Sequence, residues 1–159
     1  MSSVYLNDLG LACSLGRDRA AVVAALFAAG EPGGLSPQPL LDPATPLMLG
    51  PVPGALALPP GTPLSLQGRN NALLELALAN LRPAVDGAIA RHGADRVAVV
   101  LGTSTSGVGE SEQAHRHFLV HGRWPAGFHY AQQEMGTPAQ YLAWRLGLRG
   151  PAQVISTAC

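Results

Sequence analysis

Lysine is missing from this sequence. All ten basic residues are arginine, and ten acidic residues balance them to a formal charge of zero. A nucleic-acid partner needs clustered basic side chains against its phosphates, and these arginines are scattered, so that class of function is excluded. Charge of either sign is scarce at 13% of residues, about half the usual share. A chain so short of charge has difficulty covering its own surface. Part of its exterior is therefore expected to lie against more polypeptide, either the rest of a longer chain or a partner subunit. Cysteine occurs only at Cys13 and Cys159, too few for a disulfide framework, which points to a reducing cytoplasm. The start, Met1 to Asp8, lacks the basic and apolar regions of a secretion signal. The longest near-apolar run, Ala20 to Gly30, is too short to cross a bilayer. The expectation is a soluble cytoplasmic protein with no membrane span.

What is present alternates between strand-like and helix-like patterns. Val4 to Leu15 reads as a strand, with Cys13 as one of its packed residues. Arg17 to Ala29 places Val22, Val23, Leu26 and Phe27 on one helical face, with Gly30 as the stop. Ten of the fourteen prolines fall between Pro32 and Pro63. Proline removes backbone donors and blocks both helix interiors and central strands, so 31–67 is expected to be a long irregular excursion with a short edge strand around Met48 to Val52. From Asn70 to His92, Leu74, Leu78, Leu81, Val85 and Ile89 hold one helical stripe. Pro83 is expected to kink that helix and Gly93 to close it. Arg96 to Gly102 is a continuous apolar run, the pattern of a central parallel strand covered on both faces. Helices are expected from about Glu110 to Leu119 and from Tyr130 to Leu146, followed by a Gly-Leu-Arg-Gly-Pro turn and a last strand. Strand–helix alternation makes the class α/β with a largely parallel sheet.

Three groups of residues invite a chemical reading. Gly102-Thr-Ser-Thr-Ser-Gly-Val-Gly109 follows the apolar strand, but it lacks the lysine of a P-loop and the spacing of a dinucleotide fingerprint. A small-residue loop that lets something pass close to the backbone fits better. His115, His117, His121 and His129 cluster near Glu110 and Glu112. His115 and His117 point to different faces of a helix and no H-E-x-x-H pattern occurs, so these read as solvated or interface histidines and no metal centre is expected. The last seven residues, Gln153-Val-Ile-Ser-Thr-Ala-Cys159, run a buried-strand pattern into a cysteine preceded by small residues. A nucleophile takes this form where a strand turns sharply into a helix, since the first helical turn favours thiolate over thiol.

That last stretch, with the turn before it (GLRGPAQVISTAC), resembles the active-site approach of β-ketoacyl-acyl carrier protein synthases, the condensing enzymes of fatty acid and polyketide synthesis. Val4–Gly16 is similar to their first strand, GRNNALLELALANL to their long helix, and LGTSTSGVGESE to the glycine-rich segment after their third strand. The resemblance implies the N-terminal half of a thiolase-like fold, with a mixed, mostly parallel five-stranded sheet and helices on both faces. It implies that Cys159 takes the acyl chain from the phosphopantetheine of an acyl carrier protein, with no other cofactor. Decarboxylation of malonyl-carrier protein would rely on histidines, a lysine and a Gly-Phe-Gly loop of a C-terminal half, expected as a separate chain or cut away.

The same resemblance places Thr105 at the gate of the acyl pocket, with Ser104 and Ser106 beside it. A small gate is expected to admit long or stiff chains such as polyenes. It also implies that Arg69 meets the acidic carrier protein, that Phe128 to Gln140 lies at a homodimer or heterodimer interface with a second ketosynthase-like subunit, and that the final strand pairs with its copy. A carboxylate beside Cys159 would oppose thiolate formation, so the isolated chain is expected to be inactive and not stably folded. A non-catalytic subunit of the chain-length-factor kind is the alternative, against which Cys159 argues. A thiolase or coenzyme-A-dependent relative fits the surroundings of Cys159 less well.

Overall fold

A computed structural model describes residues 3–30, 33–40 and 43–157. The chain divides into two compact units, one of Met1–Ala55 with Leu76–Ala84 and one of Leu56–Glu75 with Val85–Cys159.

The first unit holds helix α1 (Arg19–Leu26), started by Asp18, whose carboxylate accepts from the N–H of Ala21 at 2.9 Å. Of the four apolar residues expected on one face only Val22 is buried, and Phe27 is 79% exposed. The proline-rich stretch forms a small antiparallel hairpin of β1 (Ser36–Gln38) and β2 (Leu47–Leu49), paired Ser36 to Leu49. One strand was expected there, slightly later in the chain. A three-residue strand cannot hold itself, and the second supplies its ladder partner. The strand expected over Val4–Leu15 is not formed. Its only pairing is an isolated bridge between Cys13 and Gly16. A strand requires a neighbour for its backbone groups, and none lies alongside within the described residues. Val4 and Leu6 are accordingly 92% and 99% exposed.

Helix α2 (Arg69–His92) runs through both units for 24 residues and ends at Gly93, whose φ is +86°. Pro83 lies exposed inside it and the helix neither stops nor restarts there. The carbonyl that loses its donor belongs to the exposed Ala79, where water can serve it. Leu78, the centre of the expected stripe, is 6% exposed.

In the second unit β3 (Val99–Gly102) pairs in parallel with β4 (Ala152–Ile155), Gly102 opposite Ile155. Between them run α3 (Val108–His121), a 3-10 turn (Tyr130–Gln133) and α4 (Thr137–Leu146). The single helix expected over 130–146 is thus two elements. Pro138 cannot sit in a helix interior, so α4 starts afresh with the proline in its first turn. Before β4, the N–H groups of Arg149 and Gly150 both donate to the carbonyl of Ala94, at 2.9 and 3.2 Å. A Cβ on Gly150 would lie 2.3 Å from the Val97 carbonyl oxygen, which explains the glycine of that turn.

Two expectations about the sheet need correction. Among the described residues the strands form two separate two-stranded sheets and not one of five strands. Nor is β3 covered on both faces: Val99 is 7% exposed and Val100 58%, with Ile155 of β4 at 48%. Helix α4 packs on β3 and β4 from one side, and a run of apolar residues cannot by itself supply the second layer. The core of this unit lies where α4 meets the turn Leu64–Leu66. Tyr141, Ala139 and Thr137 are buried there at 0, 1 and 1% exposure, with Leu66 at 8%.

Candidate active site

Parallel neighbours end on the same edge of a sheet, the edge where α/β proteins place their chemistry. Here β3 and β4 finish in register, and the N–H of Thr103 still donates to the carbonyl of Ile155 at 3.3 Å. The small-residue loop 103–107 and the segment Ser156–Thr157 therefore leave the sheet side by side. Cys159, the expected nucleophile, lies outside the described residues, two positions beyond Thr157.

The loop is held from three directions. Thr103 folds it locally, its hydroxyl donating to the Thr105 carbonyl at 2.8 Å and accepting from the Thr105 N–H at 3.4 Å. The side-chain amide of Asn70, in the first turn of α2, donates to the same carbonyl at 3.1 Å. At the far end Gly107 adopts a left-handed conformation, φ +60°, and presses on the 3-10 turn. A Cβ at this position would lie 2.1 Å from the Gln132 carbonyl oxygen. Of the expected pocket residues, Ser104 and Thr105 are exposed and Ser106 is turned inward at 8% exposure.

The 3-10 turn behind Gly107 is itself well braced. Gln132 is 6% exposed; its side chain accepts from the His129 N–H at 2.8 Å and donates to the Gly127 carbonyl at 3.3 Å. Ser111 of α3 donates to the Gln133 side chain at 2.6 Å, and the Thr137 hydroxyl donates to the carbonyl of Ala131.

Arg69, the residue expected to meet a carrier protein, opens α2 and is exposed. Its backbone N–H donates to Glu110 Oε1 at 2.6 Å. A glycine precedes the helix and supplies no side-chain cap, so the Glu110 carboxylate serves one of the first free N–H groups and the positive end of the helix dipole. With Leu56, Leu58, Gly68 and Ala72, Arg69 borders a shallow hollow of about 320 Å³.

Further back, Glu75 of α2 joins α4. Arg145 holds it through Nε at 3.0 Å to both oxygens and Nη2 at 2.9 Å to Oε1, while Tyr141 donates its hydroxyl to Oε2 at 2.6 Å. Burial, and then the Glu75 carboxylate, push the Tyr141 phenol well above its ordinary value. The bond from Glu75 raises the Arg145 guanidinium further, so the cluster is a neutral phenol on a fixed ion pair. It clamps the helix that carries the chain into β4. Asn71 is 3% exposed and donates to the Leu66 carbonyl at 2.7 Å, while its Oδ1 meets no partner among the described residues.

The histidines divide as their spacing implies. His117 and His121 stand one turn apart, whereas the His115 ring lies 6.4 Å from that of Trp124. Trp124 stacks between Phe118 and Phe128, and with Tyr130, Glu112 and Arg116 borders an open hollow of about 870 Å³. None of Ser104, Thr105 or Ser106 borders it. Asn70, Glu75, Glu110, Tyr141 and Arg145 escape sequence reasoning because each acts on a partner 35 or more positions distant, and Gln132 because its short-range bonds to Gly127 and His129 belong to a turn that no periodicity reports.

No family model and no curated protein matches the sequence. Among solved structures, a chain from the complex of a ketosynthase (ApeO) with its chain length factor (ApeC) from Xenorhabdus doucetiae superposes with a TM-score of 0.84 at 37% identity over 96% of this chain. The chain belongs to the ketosynthase group of the thiolase superfamily. A β-ketoacyl synthase from Burkholderia phymatum STM815, 24% identical, shares the fold over 94% of the chain at a TM-score of 0.60. The chain spans 39% and 38% of those two proteins. No helix among the described residues is long and apolar enough to cross a membrane.

Proposed function

We propose that this chain is the nucleophile-bearing part of a β-ketoacyl-acyl carrier protein synthase, working in fatty acid, polyketide or polyene synthesis. The observation that supports it best is the register of β3 and β4, which brings the loop 103–107 out beside Ser156–Thr157, the two residues before Ala158 and Cys159. On this reading the Cys159 thiolate attacks the thioester carbonyl of an acyl group on a carrier protein. A bond from carbon to Sγ forms, the bond to the phosphopantetheine sulfur breaks, and that sulfur leaves as a thiol after taking a proton. Splitting the condensation in two this way is covalent catalysis by a soft nucleophile matched to a thioester. In the second step malonyl-carrier protein loses carbon dioxide, and its carbanion attacks the acyl-cysteine carbonyl, releasing Sγ. The groups that promote decarboxylation belong to a C-terminal half. The backbone N–H of Cys159 is one donor to the tetrahedral oxyanion.

Thr105 sits at the mouth of the acyl pocket on this reading, with Ser104 and Ser106 as its wall, and Arg69 attracts the acidic carrier protein. The protein works in the cytoplasm as a dimer with itself or with a second ketosynthase-like subunit. The test is mass spectrometry of the full-length protein, alone and with such a subunit, after incubation with an acyl-carrier thioester. An acyl adduct on Cys159, lost in Cys159→Ala, is expected.

A second reading has one observation in its favour, the likeness to a complex that contains a chain length factor. If the adduct forms only on the companion subunit, this chain is the non-catalytic partner.

A further inference from the structure

We propose that His117 and His121 form an open chelate for a borderline divalent cation of the nickel(II), copper(II) or zinc(II) class. This inference is independent of the condensing reaction. Both residues lie on α3, four positions apart and so on one face, with ring centroids 4.3 Å apart. His121 is exposed and His117 half-buried.

A second observation concerns the state of the His117 ring. Its Nδ1 lies 2.9 Å from the carbonyl oxygen of Arg123. A carbonyl only accepts, so Nδ1 carries a proton, and in the neutral ring the lone pair is on Nε2. Metal-ligating imidazoles are prepared in this way, with the distal nitrogen donating to a carbonyl so that tautomer and orientation are set before the cation arrives. The contact depends on how the helix ends. Gly122 takes a left-handed conformation, φ +67°, and turns the chain so that the next residue presents its carbonyl to the preceding turn.

Paired imidazoles select this class of cation over magnesium or calcium, which prefer oxygen. Among the described residues no group of three or more histidine, cysteine or acidic side chains gathers, so water completes the coordination and the site exchanges its ion readily. The helix reads His117-Phe-Leu-Val-His121 with no glutamate after the first histidine. It therefore lacks the general base of the hydrolytic H-E-x-x-H arrangement and binds without hydrolysing.

Calorimetric titration of the full chain with nickel(II) tests this, in a Cys13→Ser, Cys159→Ser background so that thiols do not compete. One saturable site is expected. His121→Ala should weaken it at least tenfold, and His115→Ala, on a different face, should leave it unchanged. In parallel, substoichiometric nickel(II) should broaden the imidazole NMR signals of His117 and His121 first. Absence of a saturable site, undiminished binding by His121→Ala, or broadening that begins at His115 or His129 overturns the proposal.

Discussion

Asn70 and Thr105 stand 35 positions apart, and the side-chain amide of the first donates to the backbone carbonyl of the second at 3.1 Å. The next bond along, from the Arg69 N–H to Glu110, ties the same helical turn to the start of α3. The first turn of α2 thus holds the small-residue loop at its middle and the helix that follows it. Asn70→Ala should cost about 1 kcal/mol, the usual worth of one partly exposed hydrogen bond, read by chemical denaturation. In the complete enzyme it should also broaden the spread of product lengths. An unaltered spread would show that the loop keeps its position without this bond.

Thr105 is the residue to enlarge. If it stands at the mouth of the acyl pocket, Thr105→Trp in the complete enzyme should shorten the products several-fold in abundance at the long end while Cys159 still acylates. An unchanged product-length profile refutes the gate.

Gly107 leaves no room for any side chain. Gly107→Ala must push the loop away from the Gln132 carbonyl in a backbone conformation that alanine disfavours, and should destabilise the fold by about 2 kcal/mol or more. A thermal melt within a degree of the parent would contradict the contact.

The Glu75 cluster predicts an asymmetry. Glu75→Ala strands both Tyr141 and Arg145 and should cost about 2–4 kcal/mol, tempered because the Arg145 and Glu75 side chains are 28% and 19% exposed. Tyr141→Phe removes one hydroxyl and should cost about 1–2 kcal/mol. Urea denaturation of the two variants and their double mutant separates the terms, and equal losses would remove Glu75 from its central place.

Tyr141 also predicts a dependence on pH. Its phenol is held above the ordinary 10.0 in the folded chain, so above that pH the unfolded chain releases its proton first. This contribution is complete below about pH 10 and drains away as pH rises beyond it. Tyr141→Phe should flatten that part of the alkaline stability curve. An equally steep fall in the variant would assign the slope to other groups.

Legibility in the sequence followed the range of the forces involved. The stripe from Leu74 to Ile89 disclosed α2 because a helix repeats its environment every few residues, and Gly93 marked its end through backbone sterics, whereas the boundary at Pro138 passed unread inside the single helix expected over 130–146. Val4–Leu15 misled because alternating apolar residues state only a readiness to pair, and the partner strand is a tertiary matter. The run Arg96–Gly102 misled similarly, since apolar character says what a face prefers and not whether a layer covers it. The glycine-rich segment marked the small-residue loop, whereas Asn70 and Glu110, which hold it, carry no local signature.

By itself the sequence determined the α/β class, the family, the long helix, the small-residue loop and the cysteine at its end, all properties written in neighbouring residues. Only the tertiary structure decided which strands pair, which face of β3 is covered, and that Asn70, Glu110 and Gln132 hold the loop while Glu75 ties α2 to α4. Those contacts depend on residues distant in the chain meeting in space, and their free energy arises only once packing has brought them together.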